Sequence, residues 1–272
     1  MQEEYLKKRT LYLIERGNKT TVSRDGPSVL IERKFSAPVR IPADYIDKVI
    51  IYGNVELDAF SLTLFSSKYI PILIIGRHGE SSIILPYSDG IDNYSKYQKM
   101  MIASKKMTDE FAMYAYKHRV ENQKKTLDSL FKDIKVSAQP GENSYQAMIN
   151  KIKPSEFLWQ IVKVIIRNLF LLAILSKVLT AKLDPHIGFI NQQSNYGLIF
   201  DIYYILESIV DFLTFQFFYE DGVNIDFIKN PDMNYERLQM LVEKFESKRE
   251  DFDAQIRVII TEILSYLRNI KP

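Results

Sequence analysis

The stretch VIIYGNVELDAFSLTLFSSKYIPILIIGRHG, residues 49–79, decides the fold of the first part of the chain. It starts with a β-branched, aromatic run that ends in a Gly-Asn turn signal, and a second apolar run follows Pro71. Between the two runs, residues 57–69 carry apolar side chains at the spacing of a short helix. The order strand, helix, strand predicts one crossover inside a mostly antiparallel β unit.

Similar short runs flank this stretch and are separated by Gly, Asn, Asp and Pro, which is the pattern of further strands. They are TLYLIER (10–16), KTTVSR (19–24), SVLIER (28–33) and SSIILPY (81–87). The sequence therefore predicts a small N-terminal β domain over residues 1–88.

From Tyr94 onward the apolar spacing becomes helical. The segments predicted as helices are 94–131, 155–181, 198–219 and 234–270, with a loop over 182–197. We therefore expect a larger all-α domain over residues 89–272. The fold class predicted for the whole chain is α+β.

Composition excludes several classes of protein. The 272 residues are 46% hydrophobic and 26% charged, which is typical of a globular chain. The net charge of +2 indicates no global attraction to nucleic acid, so any basic surface must be local. No cysteine is present, which excludes disulfides and thiolate nucleophiles and fits a cytoplasmic protein. Lys163 and Arg167 interrupt the apolar segment 157–179, so we expect a buried helix there rather than a membrane span.

Three short motifs could carry chemistry. They are PGENSYQAM (140–148), LDPHIGFIN (183–191) and LIFDIYYILESIVD (198–211). Together with the stretch at 49–79, they stand in an order and spacing that resembles the CRISPR-associated spacer-acquisition integrases, the Cas-one family. The resemblance covers the chain from Thr10 to Leu267.

This resemblance implies a metal-dependent DNA endonuclease and integrase that joins spacer DNA into a repeat array. It implies a homodimer formed through the β domains, with DNA and the small Cas-two subunit as partners and no membrane. A Glu, a His and a second acid would bind magnesium or manganese, which helps to activate a hydroxyl and stabilises the displacement at phosphate.

The ligands implied by the resemblance are only partly present. Glu142 matches the family Glu, but Asn191 stands at the position of the His and Tyr204 at the position of the second acid. Asp201 matches the first Asp of the acidic pattern. A neutral amide and a phenol are poor replacements for an imidazole and a carboxylate, so we expect a degenerate metal site that binds a divalent ion weakly or not at all.

Neighbouring residues do not restore the site. Glu207 follows Asp201 by six residues, about 240° round a helix, and therefore points away from it. The Arg-Pro that follows the acids in the family is Glu207-Ser208 here.

Each site residue also has a structural interpretation. Glu142 could stabilise a helix N-terminus, Asn191 could cap a loop or helix, and Asp201 could pair with a cation or a backbone group in its apolar surroundings. The basic residues predicted to contact DNA are Lys105, Lys106, Lys124, Lys125, Lys163 and Arg167, although such a run is also typical of a solvated helix face.

Two functions therefore remain open. The first is an integrase homologue with weakened or lost catalysis. The second is a non-catalytic DNA-binding or scaffolding subunit of an adaptation complex. Whether the chain is an enzyme is left undecided by the sequence, because only one of the three expected ligands is kept.

Overall fold

The computed structural model describes residues 8–15, 19–76, 80–86, 94–131, 142–219 and 235–270. The chain divides into two units, the first made of Met1–Gly90 with Met233–Gln239 and the second of Ile91–Asp232 with Met240–Pro272. A strand-rich N-terminal region is followed by a larger helical region, which confirms the predicted α+β class.

The part of the first unit that the structure describes between residues 8 and 86 contains eight strands, one α-helix and a short 3-10 turn at Ala43–Tyr45. In chain order these are β1 (Arg9–Ile14), β2 (Thr20–Asp25), β3 (Ser28–Arg33), β4 (Val39–Pro42), β5 (Ile46–Tyr52), β6 (Val55–Leu57), α1 (Ala59–Ser67), β7 (Ile72–Ile75) and β8 (Ser81–Ile84). They form one sheet in the order β1-β5-β7-β8 and another in the order β4-β3-β2-β6.

Strand pairing in this unit is mixed rather than mostly antiparallel. In the described strands, β1 pairs with β5, β5 with β7 and β2 with β6 in parallel. The pairs β2–β3, β3–β4 and β7–β8 are antiparallel. Parallel neighbours arise because the chain leaves a sheet before it returns to it: α1 separates β5 from β7, and β2 to β4 separate β1 from β5.

The core of the first unit joins both sheets and α1. Leu13 of β1, Val29 of β3 and Phe65 of α1 are fully buried in one hydrophobic cluster. Asp58 begins α1 as its N-cap, because its carboxylate accepts a hydrogen bond from the Ser61 N–H at 2.6 Å. The helix predicted between two strands is therefore present, with Phe65 fixing its inner face.

The helices that the structure describes after Gly90 are α2 (Ser95–Ala103), α3 (Lys105–Leu130), α4 (Glu142–Ile152), α5 (Glu156–Thr180), α6 (Gly197–Tyr219), α7 (Tyr235–Ser247) and α8 (Arg249–Arg268). The predicted helix over 94–131 is broken at Ser104, whose backbone is extended with φ −99° and ψ 101°. The C-terminal segment is broken at Lys248, where φ is −103° and ψ is 5°. A single non-helical residue barely changes the apolar period, so the spacing did not reveal these breaks.

The central helix of the second unit is α5. Every residue from Asn168 to Ser176 is buried, as expected for a helix that is apolar on all sides. Phe170 meets Phe252 of α8 edge to face, with ring centroids 5.4 Å apart, and α5 also packs against α6. None of the helices that the structure describes is long and apolar enough to cross a membrane.

Candidate functional site

The loop between α5 and α6 folds around the carboxylate of Asp201. Asp201 lies near the start of α6 and its side chain is 0% exposed. Its Oδ2 accepts hydrogen bonds from the backbone N–H groups of Phe189 at 2.5 Å and Ile190 at 3.1 Å. Its Oδ1 accepts the Asn191 backbone N–H at 2.9 Å and the Asn191 side-chain amide at 2.8 Å. These four donors fill the main acceptor positions of the carboxylate.

These hydrogen bonds give Asp201 and Asn191 the kind of structural contact that the sequence offered as an alternative to a metal role. Burial raises the pKa of Asp201, and the donors from Asn191, Ile190 and Phe189 oppose that rise. Asp201 therefore holds the loop through backbone groups, and the Asn191 side chain serves the same contact.

Two further contacts fix this loop. Gly188 and Gly197 approach so closely that a Cβ on Gly188 would lie 2.4 Å from the Gly197 carbonyl carbon, which excludes any larger residue without a shift of the backbone. From α2, the buried amide of Gln98 donates to the carbonyls of Asp184 and Ile187 and accepts the Asp184 N–H at 2.9 Å. The loop is thus held from three sides.

Glu142, the first residue of α4, is bound by side chains of the chain itself. The Arg119 guanidinium donates to both carboxylate oxygens, with Nε 3.1 Å from Oε2 and Nη2 3.0 Å from Oε1. Gln123 donates to Oε2 at 2.8 Å and Gln146 to Oε1 at 3.2 Å. Partial burial raises the pKa of Glu142, but the hydrogen bonds from Arg119, Gln123 and Gln146 outweigh it and lower the pKa to about 2.

Arg119 connects Glu142 to α6. Its Nη2 lies 2.9 Å from Oε2 of Glu207, and its Nη1 donates to the backbone carbonyl of Tyr204 at 2.6 Å. The guanidinium carbon also lies 4.4 Å from the centroid of the Tyr204 ring, which is a cation–π contact. Tyr204 therefore contacts the cation through its ring face and its carbonyl oxygen.

A second cation, Lys163 of α5, neutralises the adjoining acids. Its ammonium lies 2.7 Å from Oδ1 of Asp211 and 3.7 Å from Oε1 of Glu207. The Tyr145 hydroxyl donates to Oδ2 of Asp211 at 2.9 Å. Burial raises the pKa of Asp211, and the Lys163 charge counteracts that rise.

We call Arg119, Glu142, Lys163, Glu207 and Asp211 the ion-pair centre. It contains three carboxylates and two cations and joins α3, α4, α5 and α6. Sequence reasoning named Glu142 as a site residue and Lys163 as a DNA contact, but it set Glu207 aside as pointing away from Asp201, gave Arg119 no place in the site and missed Asp211. For Arg119 a signal existed, since Phe111, Ala115 and Arg119 recur at every fourth residue on the buried face of α3.

The structure brings the four predicted site residues into two separate groups of contacts. Glu142 and Tyr204 meet at Arg119, whereas Asn191 and Asp201 bind each other in the loop. The donor set of one carboxylate, one amide and one phenol does not fit a magnesium or manganese ion, because the Glu142 oxygens already accept four hydrogen bonds. Across the residues described by the structure, no group of three or more His, Asp or Glu side chains could hold a metal ion.

The predicted DNA contacts also differ in their surroundings. Lys105, Lys106, Lys124, Lys125 and Arg167 are exposed. Lys163 is only 17% exposed and is committed to the acids of the ion-pair centre. The exposed lysines of α3 alternate with acids, and Lys106 lies 3.9 Å from Glu110.

Comparison with known proteins places this fold. The chain is similar to a CAS1 protein from Thermotoga maritima, with 18% identity and a TM-score of 0.76 over 97% of this chain and 98% of that one. It is also similar to a casposase bound to integration product (16% identity, TM-score 0.69, 88% of this chain and 82% of that one). A Cas6-RT-Cas1–Cas2 complex matches with 12% identity and a TM-score of 0.71, over 97% of this chain and 36% of that one.

At these identities the solved structures establish a shared fold. No curated protein sequence matches the chain. The family model described as "CRISPR associated protein Cas1" matches residues 11–162, which is more than half of the chain. The chain therefore belongs to the Cas1 family of CRISPR-associated proteins.

Proposed function

We propose that this Cas1-family chain is a DNA-binding subunit of a spacer-acquisition complex that does not itself catalyse metal-dependent strand cleavage and joining. The observation that carries the proposal is the state of Glu142, the one expected metal ligand that is kept. Its carboxylate is bound on both oxygens by Arg119 and is further occupied by Gln123 and Gln146.

Charge and ligand type support the proposed loss of catalysis. A hard divalent ion needs several anionic or strongly polar oxygen ligands, and its transition-state role requires open coordination positions. Tyr204 offers a phenol, Asn191 offers an amide that already donates to Asp201, and Glu142 faces a guanidinium. A divalent cation would have to displace the Arg119 guanidinium from Glu142. The two positive charges would also repel each other.

Binding of DNA is supported by two independent features. Exposed lysines lie on α3, and proteins with this fold are described in complexes with DNA: a casposase bound to integration product and a TtCas1–DNA complex (10% identity, TM-score 0.55). Phosphate contacts depend on Lys and Arg charge and need no metal. A chain without a metal site can therefore keep the DNA-binding role of its fold.

The same reasoning suggests the partners. A protein of similar fold belongs to a complex that contains Cas2, and we propose a Cas2-type subunit and a second copy of this chain as partners. We further propose that residues 1–88 form the dimer and residues 89–272 carry the DNA site, with the complex acting in the cytoplasm.

An integration assay tests the catalytic part of the proposal. Purified chain is incubated with half-site and branched DNA in manganese or magnesium, beside an active Cas1 protein as positive control. We expect strand transfer at the background level. Robust strand transfer that Glu142→Ala abolishes would overturn the proposal.

Salt-dependent DNA binding tests the other part. Reversal of Lys124 and Lys125 to Glu should weaken duplex binding and reduce its salt dependence, because each lost phosphate contact lowers the salt slope by about 1. The matched control reverses Arg257 and Arg268, which are exposed on α8 and change the net charge equally. If both variants lose the same amount of DNA affinity, only the overall charge of the chain matters. If the wild-type chain binds no DNA at low salt, the DNA-binding part of the proposal is wrong.

A further inference from the structure

Arg119 is enclosed by acceptors on every polar edge. Its side chain is 8% exposed, and Nε, Nη1 and Nη2 contact Glu142, the Tyr204 carbonyl and Glu207 at 2.6 to 3.1 Å. One nitrogen, Nη2, is shared by Glu142 and Glu207, so the two carboxylates converge on it. A single buried cation thus binds two acids from two different helices.

A guanidinium in this position is a permanent charge. Arginine stays protonated in proteins, and its planar fork suits two-point contact with a carboxylate. Glu142 and Glu207 raise the pKa of Arg119 further, against the effect of burial. Without this cation, two carboxylates would face each other with Lys163 as the nearest opposite charge.

We propose that Arg119 is a built-in cation that takes the role of a bound divalent ion, so that the helical unit is assembled around its own guanidinium. This inference rests on the proposed function, because it takes the ion-pair centre to stand where an active family member would hold its metal ion. Glu142 is then a structural ligand of Arg119, and Glu207 is its second ligand.

The contact geometry separates this role from that of an ordinary surface ion pair. Exposed pairs contribute about 0–1 kcal/mol because water competes for both charges. Arg119 is largely withdrawn from water, whereas the side chain of Glu142 is 49% exposed and that of Glu207 is 25% exposed. The buried cation therefore bridges α3, α4 and α6 with one partner that water still reaches. An ammonium at this position could not contact both Glu142 oxygens in parallel, so Lys is a poor replacement.

Thermal unfolding with and without metal tests the proposal. We expect the Tm of the wild-type chain to be unchanged by manganese or by EDTA. Arg119→Ala should lower the Tm by roughly 5 °C, because Glu207 loses its cation while partly buried whereas Glu142, with 49% of its side chain exposed, can be solvated by water. Arg119→Lys should recover only part of that loss. Arg257→Ala removes an exposed arginine of α8 and should leave the Tm unchanged.

Chemical rescue asks whether the lost group is a cation. Low concentrations of guanidinium chloride should raise the Tm of Arg119→Ala relative to sodium chloride at the same ionic strength, and should not raise the Tm of the wild type. Manganese binding is followed in parallel by electron paramagnetic resonance. We expect Arg119→Ala to reduce the free manganese signal and the wild type to leave it unchanged.

If Arg119→Ala does not fold, two further variants that differ only in one acid still test the proposal. Arg119→Gln/Glu207→Gln removes the cation and one of its acids together, so its Tm should lie above that of Arg119→Gln alone. An equal or lower Tm would overturn the proposal, as would a wild-type Tm that rises with manganese and loses that rise in Glu142→Gln. Strand transfer by the wild type defeats the proposed function, whereas manganese binding without strand transfer defeats only this inference.

Discussion

Asp201 and Asp211 are both fully buried acids of α6, yet their charges are satisfied in different ways. Asp201 accepts three backbone N–H groups and one amide from the adjoining loop. Asp211 faces the Lys163 ammonium and the Tyr145 hydroxyl from two other helices. The first acid organises a local segment, whereas the second joins distant parts of the chain.

This difference predicts which substitutions will lower the stability of the chain most. The groups that loss of Asp201 would leave unpaired are neutral N–H donors, so that loss is relieved by the absence of an unpaired charge. Charges in the middle of packed helices have no such relief, since an unpaired buried charge is costly. We therefore expect the ion-pair centre to be more sensitive than the loop.

The largest effect is expected for Lys163→Met. It leaves Asp211 buried without its cation and should destabilise the chain by about 3–5 kcal/mol. Urea unfolding measures the change. Lys163→Met/Asp211→Asn should recover part of the loss, and a double variant no more stable than the single one would show that Lys163 acts through packing and not through charge.

A smaller effect is expected for Asp201→Asn. The amide keeps one acceptor oxygen but turns an NH₂ group towards the loop donors, so we expect a loss of about 2 kcal/mol. The same unfolding experiment measures it, with exposed Asp128→Asn as a control that should change stability by less than about 0.5 kcal/mol. A loss larger than that of Lys163→Met would reverse the comparison.

The third test uses pH. The pKa of Glu142 is about 2 in the folded chain against an ordinary value of 4.5. A depressed folded pKa gives stability that is present above pH 4.5 and is lost as the pH falls towards 2. The stability difference between wild type and Glu142→Gln should therefore shrink across that window. A difference that stays constant with pH would mean that the carboxylate charge is not what stabilises the contact.

The smallest effect is expected at Tyr204. Tyr204→Leu removes the ring below Arg119 and should cost about 1 kcal/mol, because the cation is buried but the ring is only partly so, and cation–π contacts range from about 0.5–1 kcal/mol when exposed to about 2 when desolvated. Tyr204→Phe keeps the ring and should match the wild type. If the two variants lose stability equally, the hydroxyl and not the ring would be responsible.

Much of the fold could be predicted from sequence periods. The helical spacing found α1, α5 and α6, and the β-branched runs found six of the strands. The short strands β4 and β6 were not predicted, because each offers only three or four residues of pattern. Parallel pairing was missed as well, since it depends on which strand the chain returns to after a crossover.

The site was less accessible to sequence reasoning. Motifs located Glu142, Asn191, Asp201 and Tyr204, because their chemistry and spacing are local. Their partners depend on how helices pack, and no local pattern tells which acid Arg119 will meet. The apolar residues spaced four apart before Arg119 could have indicated that its cation faces inward. They could not have indicated that it pairs with Glu142 and Glu207.

The cation at Arg119 also bears on how this chain could change over evolutionary time. An acid introduced at position 204 would find a guanidinium already within reach, so the new carboxylate would be neutralised instead of left available for a metal ion. A histidine at position 191 would leave the Asp201 carboxylate still bound by three backbone N–H groups. Neither substitution alone therefore creates a metal site while Arg119 holds its position, and we expect metal-dependent chemistry to require several substitutions together.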